Sequence, residues 1–333
     1  MKHLNAILRT GLIAAFATAA ATATAADPAV VYDMGGKFDK SFNQAAYNGA
    51  DRYAKETGGN YREFEPTNDA QREQAMRRLA KRGANPIVAI GFNQAAAVEK
   101  VAKEYPDLKF TIVDMVVDLP NVSSVVFKEH EGSFLVGALA ALASKSGKVG
   151  FVGGMDIPLI RRFACGYVQG VKHIKSGAEV FQNMTGSTPS AWNDPGRGAE
   201  LAKSQFDRGA DVVYAAAGGT GVGVYQSAKD NNKLAIGVDS NQNYLQPGTM
   251  LTSMVKRVDV AVYESFMGVR NNSWKPGLQV LGLAEGGVGW ALDEHNAKLV
   301  TADMKAKVEG LKAQIVAGKI SVHDYMADNN CPH

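Results

Sequence analysis

The sequence predicts an α/β protein made of two similar lobes, and three observations carry that reading. Short apolar segments alternate with longer helical ones, the pattern of βαβ units building parallel sheets. A stretch of the chain also recurs. Arg82-Gly83-Ala84, a strand, Gly91, a helix, a strand and Asp114 are matched by Arg208-Gly209-Ala210, a strand, Gly218-Gly219, a helix, a strand and Asp239, over 32 and 31 positions. Finally, 333 residues at 46% hydrophobic and 21% charged suffice for two domains of about 150 residues, each with its own core.

Taken in order, Val30-Val31-Tyr32 is a short apolar strand ending at Asp33 and the turn Gly35-Gly36, and a helix follows over Phe42–Glu56. Strand Tyr61–Phe64, helix Asp69–Lys81, strand Pro86–Ile90, helix Gln94–Glu104 and strand Lys109–Val113 continue the alternation. A strand at Val122–Phe127, a helix at Gly132–Ala143 and a strand at Lys148–Val152 come next. Gly35-Gly36 with Phe42, Tyr47 and Gly49 is echoed by Gly153-Gly154 with Phe163, Tyr167 and Gly170, at offsets too long for a solenoid. Beyond the second repeat lie strand Met250–Val255, helix Val258–Val269, strand Leu278–Leu283, Gly286-Gly287 and a long helix over Glu294–Ala317. Because the first half already completes a sheet, these late elements are expected to cross between lobes and form a hinge of several strands. The expected division is residues 27–143 with 256–280 in one lobe and 144–255 with 281–333 in the other.

Residues 1–26 read as a cleaved leader. Lys2 and Arg9 precede the apolar run Gly11–Ala20, and Ala23-Thr24-Ala25 matches an A-x-A cleavage signal. The run is too short and too rich in Ala and Thr for a membrane span. With no cysteine near the cleavage site, a thioether lipid anchor is not expected, and the mature chain should be exported and soluble. Residues 27–333 carry 34 basic against 33 acidic side chains, so the basic stripe needed for a phosphate backbone is missing and nucleic acid is excluded as a partner. The two cysteines, Cys165 and Cys331, either form a disulfide in an oxidising compartment or remain unpaired thiols.

Open α/β sheets bind ligands just beyond the carboxyl ends of their strands. Polar residues there should meet in one cleft: Asp33, Asn93 and Asp114 from one lobe, and Asp156, Gly218 and Asp239 from the other. A single strand-end Asp is ordinarily a cap or turn residue, but three closing apolar strands in repeated units point to a shared site. Enzymatic signatures do not emerge. Gly147-Lys148 is followed by Val149, so there is no P-loop, and Gly219-Thr220-Gly221-Val222-Gly223 lacks the glycine at 224 of a dinucleotide fingerprint. The six histidines have no metal spacing, no nucleophile elbow is present, and neither cysteine has a nearby histidine. No cofactor or metal is therefore expected, and the pattern is that of a ligand-capturing protein rather than an enzyme.

The segment Asp33-Met34-Gly35-Gly36-Lys37-Phe38-Asp39-Lys40-Ser41-Phe42-Asn43, with Gly49 after it, resembles the signature of the basic membrane protein family, the purine-nucleoside-receptor type of ABC-importer binding components. Lys128-Glu129-His130-Glu131-Gly132-Ser133-Phe134, Asn193-Asp194-Pro195-Gly196-Arg197-Gly198, Gly237-Val238-Asp239 and Leu251-Thr252-Ser253-Met254-Val255-Lys256 extend the resemblance over nearly the whole mature chain. It implies a type I periplasmic-binding-protein fold, a periplasmic location, a monomer, and an ABC permease with its ATPase as partners. It also implies a purine nucleoside held between two aromatic rings, Phe42 and Trp192, the latter standing where the family usually has Phe. Asp33, Asn43 and Asp114 would face the base edge, Asp239 and Lys256 the ribose hydroxyls, and Gly218 and Gly219 would offer backbone contacts. Free purine bases, riboflavin and sugars are the alternative ligands, and a sensory receptor is the alternative role.

Overall fold

A computed structural model describes residues 26–333; the expected leader, apart from Ala26, lies outside the described residues. The first sheet takes β1 (Ala29–Val31), β2 (Arg62–Phe64), β3 (Ile87–Ile90), β4 (Phe110–Val113), β5 (Val122–Phe127) and β11 (Gly277–Leu281), in the order β11-β5-β4-β3-β1-β2. The second takes β6 (Lys148–Met155), β7 (Glu179–Gly186), β8 (Val212–Ala216), β9 (Leu234–Asp239), β10 (Met250–Lys256) and β12 (Val288–Trp290), in the order β12-β10-β9-β8-β6-β7. Every pairing is parallel except β10 with β12. Strands buried on both faces are apolar throughout, as Ile87–Ile90 and Val212–Ala216 show.

The two sheets share one topology, β1 to β5 corresponding to β6 to β10. The sequence repeat has a conformational counterpart: Gly83 and Gly209 both have positive φ, and so do Gly91 with Gly218 and Asp114 with Asp239. The helices are α1 (Phe42–Thr57), α2 (Asp69–Lys81), α3 (Ala95–Glu104), α4 (Glu129–Ala143), α5 (Pro158–Ile174), α6 (Pro195–Asp207), α7 (Gly221–Asp230), α8 (Val258–Arg270), α9 (Ala302–Val316) and α10 (Tyr325–Asp328). Their ends follow local chemistry. Gly58, left-handed at φ 66°, closes α1, and the Asn68 side chain accepts from the Gln71 N–H to start α2.

Two expectations change. The long helix over Glu294–Ala317 is shorter, because Thr301 caps a new start at Ala302 by accepting the Met304 N–H. The preceding residues form a turn pinned by buried Asn296, whose amide donates to the carbonyls of Leu251 and Ala291. The strand expected over Lys148–Val152 runs on to Met155, so that Gly153-Gly154 lies inside β6. The chain passes between sheets at three places: from β5 into α4, which packs on α5, β10 and β12; from β10 into α8, which packs on α1; and between β11 and β12. No helix among the described residues is long and apolar enough to cross a membrane.

Candidate functional site

The carboxyl ends of both sheets open onto one cleft. It is lined by Asp33, Asp39, Phe42, Asn43, Asp114, Phe163, Trp192, Gly218, Asp239 and Lys256, among others.

On the first lobe, the β1–α1 loop is folded by its own side chains. Asn43 accepts the Asp33 N–H at 2.9 Å and donates to the carbonyls of Asp33 and Gly36, so its amide shapes the loop. Asp39 accepts the N–H groups of Ser41 (2.7 Å), Asn43 (3.0 Å) and Gln44 (3.1 Å), anchoring the start of α1. Burial nevertheless pushes the Asp39 carboxyl up to about 7, the backbone bonds offsetting only part of that cost. Burial likewise raises Asp33, although it accepts from Met34 N–H and from Arg72 Nη2 through Oδ1.

A buried charge cluster forms the floor. Lys256 Nζ lies 2.6 Å from Asp114 Oδ2 and 2.9 Å from Glu129 Oε1, with side chains 2%, 6% and 1% exposed. Three rings surround the ammonium, with centroids 5.1 Å (Phe42), 5.1 Å (Phe127) and 5.5 Å (Phe163) away. The surrounding carboxylates outweigh desolvation and hold Lys256 above the ordinary lysine range, so it is charged. Glu129 also receives Arg162 Nη1 at 2.9 Å; with two cations it stays below the usual carboxylate range despite its burial. Asp114 shares one cation, and burial wins there, raising it to about 7. Asp239, also raised by burial, accepts from Ser41 Oγ of the first lobe at 2.6 Å.

Aromatic walls complete the cleft. Phe42 comes from the first turn of α1. Trp192 ends a short turn, Pro189–Trp192, whose Ala191 carbonyl accepts from Thr185 (3.1 Å) and Thr220 (2.8 Å) hydroxyls. The Trp192 ring lies directly against the backbone of Gly154, where a β-carbon would collide with it. That is why Gly154 stands within a strand.

Eight of the residues singled out from sequence line this cleft: Asp33, Phe42, Asn43, Asp114, Trp192, Gly218, Asp239 and Lys256. Asn93 and Gly219 do not line it, and Asp156 is exposed in a bidentate pair with Arg161. Lys256 pairs with Asp114 and Glu129, not with Asp239, whose hydrogen-bond partner is Ser41. Glu129, Phe163, Asp39 and Ser41 were missed. Glu129, Asp39 and Ser41 stand inside the motifs quoted above, whereas Phe163 carried only the repeat signal. Cys165 and Cys331 are joined in a disulfide with Cα atoms 5.6 Å apart.

Residues 27–325 match the family described as ABC transporter substrate-binding protein PnrA-like. The chain is 33% identical over 317 residues to the ABC transporter nucleoside-binding protein BmpA of Lactococcus lactis subsp. cremoris, covering 88% of each. It is 36% identical over 278 residues to an uncharacterized lipoprotein of Pyrococcus furiosus, covering 80% of this chain and 70% of that one. Among solved structures, a solute-binding protein of an ABC transporter system from Aeropyrum pernix superposes with a TM-score of 0.81 at 31% identity, over 89% of this chain and 92% of that one.

Proposed function

We propose that this chain, which belongs to the Bmp family of PnrA-like ABC transporter substrate-binding proteins, captures a purine nucleoside between its lobes without chemical turnover. It then delivers the nucleoside to its permease, which a cytoplasmic ATPase drives. The family is one of extracytoplasmic substrate-binding proteins of ABC transporters, which supports that reading. We further propose that it works as an exported monomer.

One observation carries the nucleoside reading: Phe42 and Trp192 from different lobes line the same cleft as Asp114, Asp239 and Lys256. A purine offers two flat faces, and stacking is worth about 1–3 kcal/mol per base in nucleic-acid binders. Asp33 and Asp114 suit the ring and exocyclic N–H groups, because a carboxyl group offers acceptor oxygens whether or not it is protonated. Asp239 suits the vicinal ribose hydroxyls, and the Lys256 ammonium donates to their oxygens. Gly218 contributes backbone. The nucleoside-binding relative supports the same class.

The test is a thermal-shift screen of residues 27–333 against nucleosides, free purine bases, riboflavin and sugars, with chromatography of the recovered ligand. A nucleoside at 100 times its Kd should stabilise by about 2.7 kcal/mol and be recovered unchanged. Shifts with bases but not nucleosides would remove the ribose assignment; shifts only with riboflavin or sugars would overturn the nucleoside reading.

A further inference from the structure

The buried charges of the cleft do not end at Glu129. Arg162 Nη1 reaches Glu129 Oε2 at 2.9 Å and also donates to the Phe127 carbonyl at 2.8 Å. The other edge of its guanidinium faces the chain's C-terminal segment: Nε and Nη2 each lie 2.7 Å from an oxygen of Asp324, a bidentate pair. From cleft to surface the charges alternate in sign: Asp114, Lys256, Glu129, Arg162, Asp324. The first four side chains are 6%, 2%, 1% and 13% exposed, while Asp324 reaches water at 31%.

The tail that carries Asp324 is held on one face of α5. Arg162, Cys165 and Gln169 follow one another at helical spacing, and each fastens a different tail residue. Arg162 holds Asp324, Cys165 is bridged to Cys331, and Gln169 exchanges two hydrogen bonds with the His323 backbone, at 2.9 Å and 2.8 Å. The same helix presents Leu159, Ile160 and Phe163 to the cleft. Within the chain of charges, Glu129 and Lys256 both stand where the backbone passes between the lobes.

We infer that Arg162 and Asp324 are positioning residues for ligand capture: the tail fixes Arg162, Arg162 shares the charge of Glu129, and Lys256 is thereby left facing Asp114 and the cleft. The physical reason is competition for one ammonium. A carboxylate as buried as Glu129 requires a cation, and if Arg162 does not supply half of it, Lys256 is drawn wholly to Glu129. Asp324 matters because a guanidinium held by a bidentate partner keeps one orientation, whereas a free one does not. Neither residue touches the ligand. The inference rests on the nucleoside reading, in which Lys256 serves the ribose.

The experiment compares Kd values for adenosine, guanosine and inosine with those for their free bases, by calorimetry, in wild type, Arg162→Gln, Asp324→Asn and Asp324→Glu, each with its melting temperature. Asp324→Asn should weaken nucleoside binding about tenfold, the scale of couplings carried through side-chain networks. It should weaken base binding by less than nucleoside binding, and Asp324→Glu should recover most of the loss. Arg162→Gln should lose at least as much; if it does not fold, the partly exposed Asp324 decides alone. Equal losses for nucleoside and base, or no loss in Asp324→Asn, would overturn the inference while leaving the nucleoside reading intact. A wild type silent toward every nucleoside would overturn both.

Discussion

At the residue scale, the cleft is governed by the cost of burying charge. Lys256 remains charged because carboxylates and aromatic faces replace its water, whereas Asp39 and Asp114 are each pushed up to about 7 by burial. That has a consequence for pH. Where the folded carboxyl titrates near 7 and the unfolded one near its ordinary value, the folded state holds more protons in between. Stability therefore falls as pH rises from about 4 toward 7 and levels off above that. Asp33 and Asp239, raised by burial, act in the same direction. Glu129 and Asp324, held low, lose their contribution only below the ordinary carboxylate range, and buried His130 costs stability once pH drops below its own. With four raised carboxyls against two histidines held low, His130 and His333, melting at pH 5.5 should occur at a higher temperature than at pH 8; the reverse order would sink the assignment. Asp114 and Asp239 could be picked out in the sequence by strand-end position, whereas Asp39 only stands within a motif. The upward shift of their carboxyls could not, because it comes from burial that only the folded chain creates.

At the element scale, the α4–α5 crossing shows how glycines permit close packing. β-Carbons at Gly137, Gly166 and Gly170 would strike the backbone carbonyls of Tyr167, His130 and Phe134 in the facing helix. Backbone cannot step aside as a side chain can, so Gly170→Ala should destabilise by about 1–3 kcal/mol through forced separation of the helices. Gly310→Ala is the contrasting case. It lies exposed in α9 with nothing near a β-carbon, and the change should stabilise by roughly 0.5–1 kcal/mol. Urea midpoints of the two variants, moving in opposite directions from wild type, check both. The same scale explains which elements were legible. Helix α2 was readable to both ends because its cap and periodicity are local, but the start of α9 was not. The reach of Asn296 back to β10 breaks a continuous helical pattern, and only the folded chain brings Leu251 beside it.

At the scale of the whole molecule, the lobes meet through a small set of polar contacts beside the cleft. Ser41 Oγ donates to Asp239 Oδ2 at 2.6 Å, Ser240 Oγ to the Ser41 carbonyl at 2.9 Å, and Gln242 Nε2 to the Lys40 carbonyl at 2.9 Å. Removing one bond from this set should favour opening over closing. Ser41→Ala is accordingly expected to raise the ligand dissociation rate by about two- to tenfold, since an intramolecular hydrogen bond is worth about 0.5–1.5 kcal/mol, with little change in the association rate. Stopped-flow recording of tryptophan fluorescence separates the two rates, and an unchanged dissociation rate would remove Ser41 from closure. The sequence by itself determined the α/β class, the duplicated lobe and the strand-end carboxylates, because apolar periodicity, glycine turns and repeated spacing are properties of neighbours along the chain. Only the tertiary structure decided which charge neutralises which. The pairing of Lys256 with Asp114 and Glu129, the contact of Arg162 with Asp324, and the passage of α4 onto the second sheet join residues far apart in sequence. Electrostatic and packing energies depend on distance in space, which the order of residues does not record.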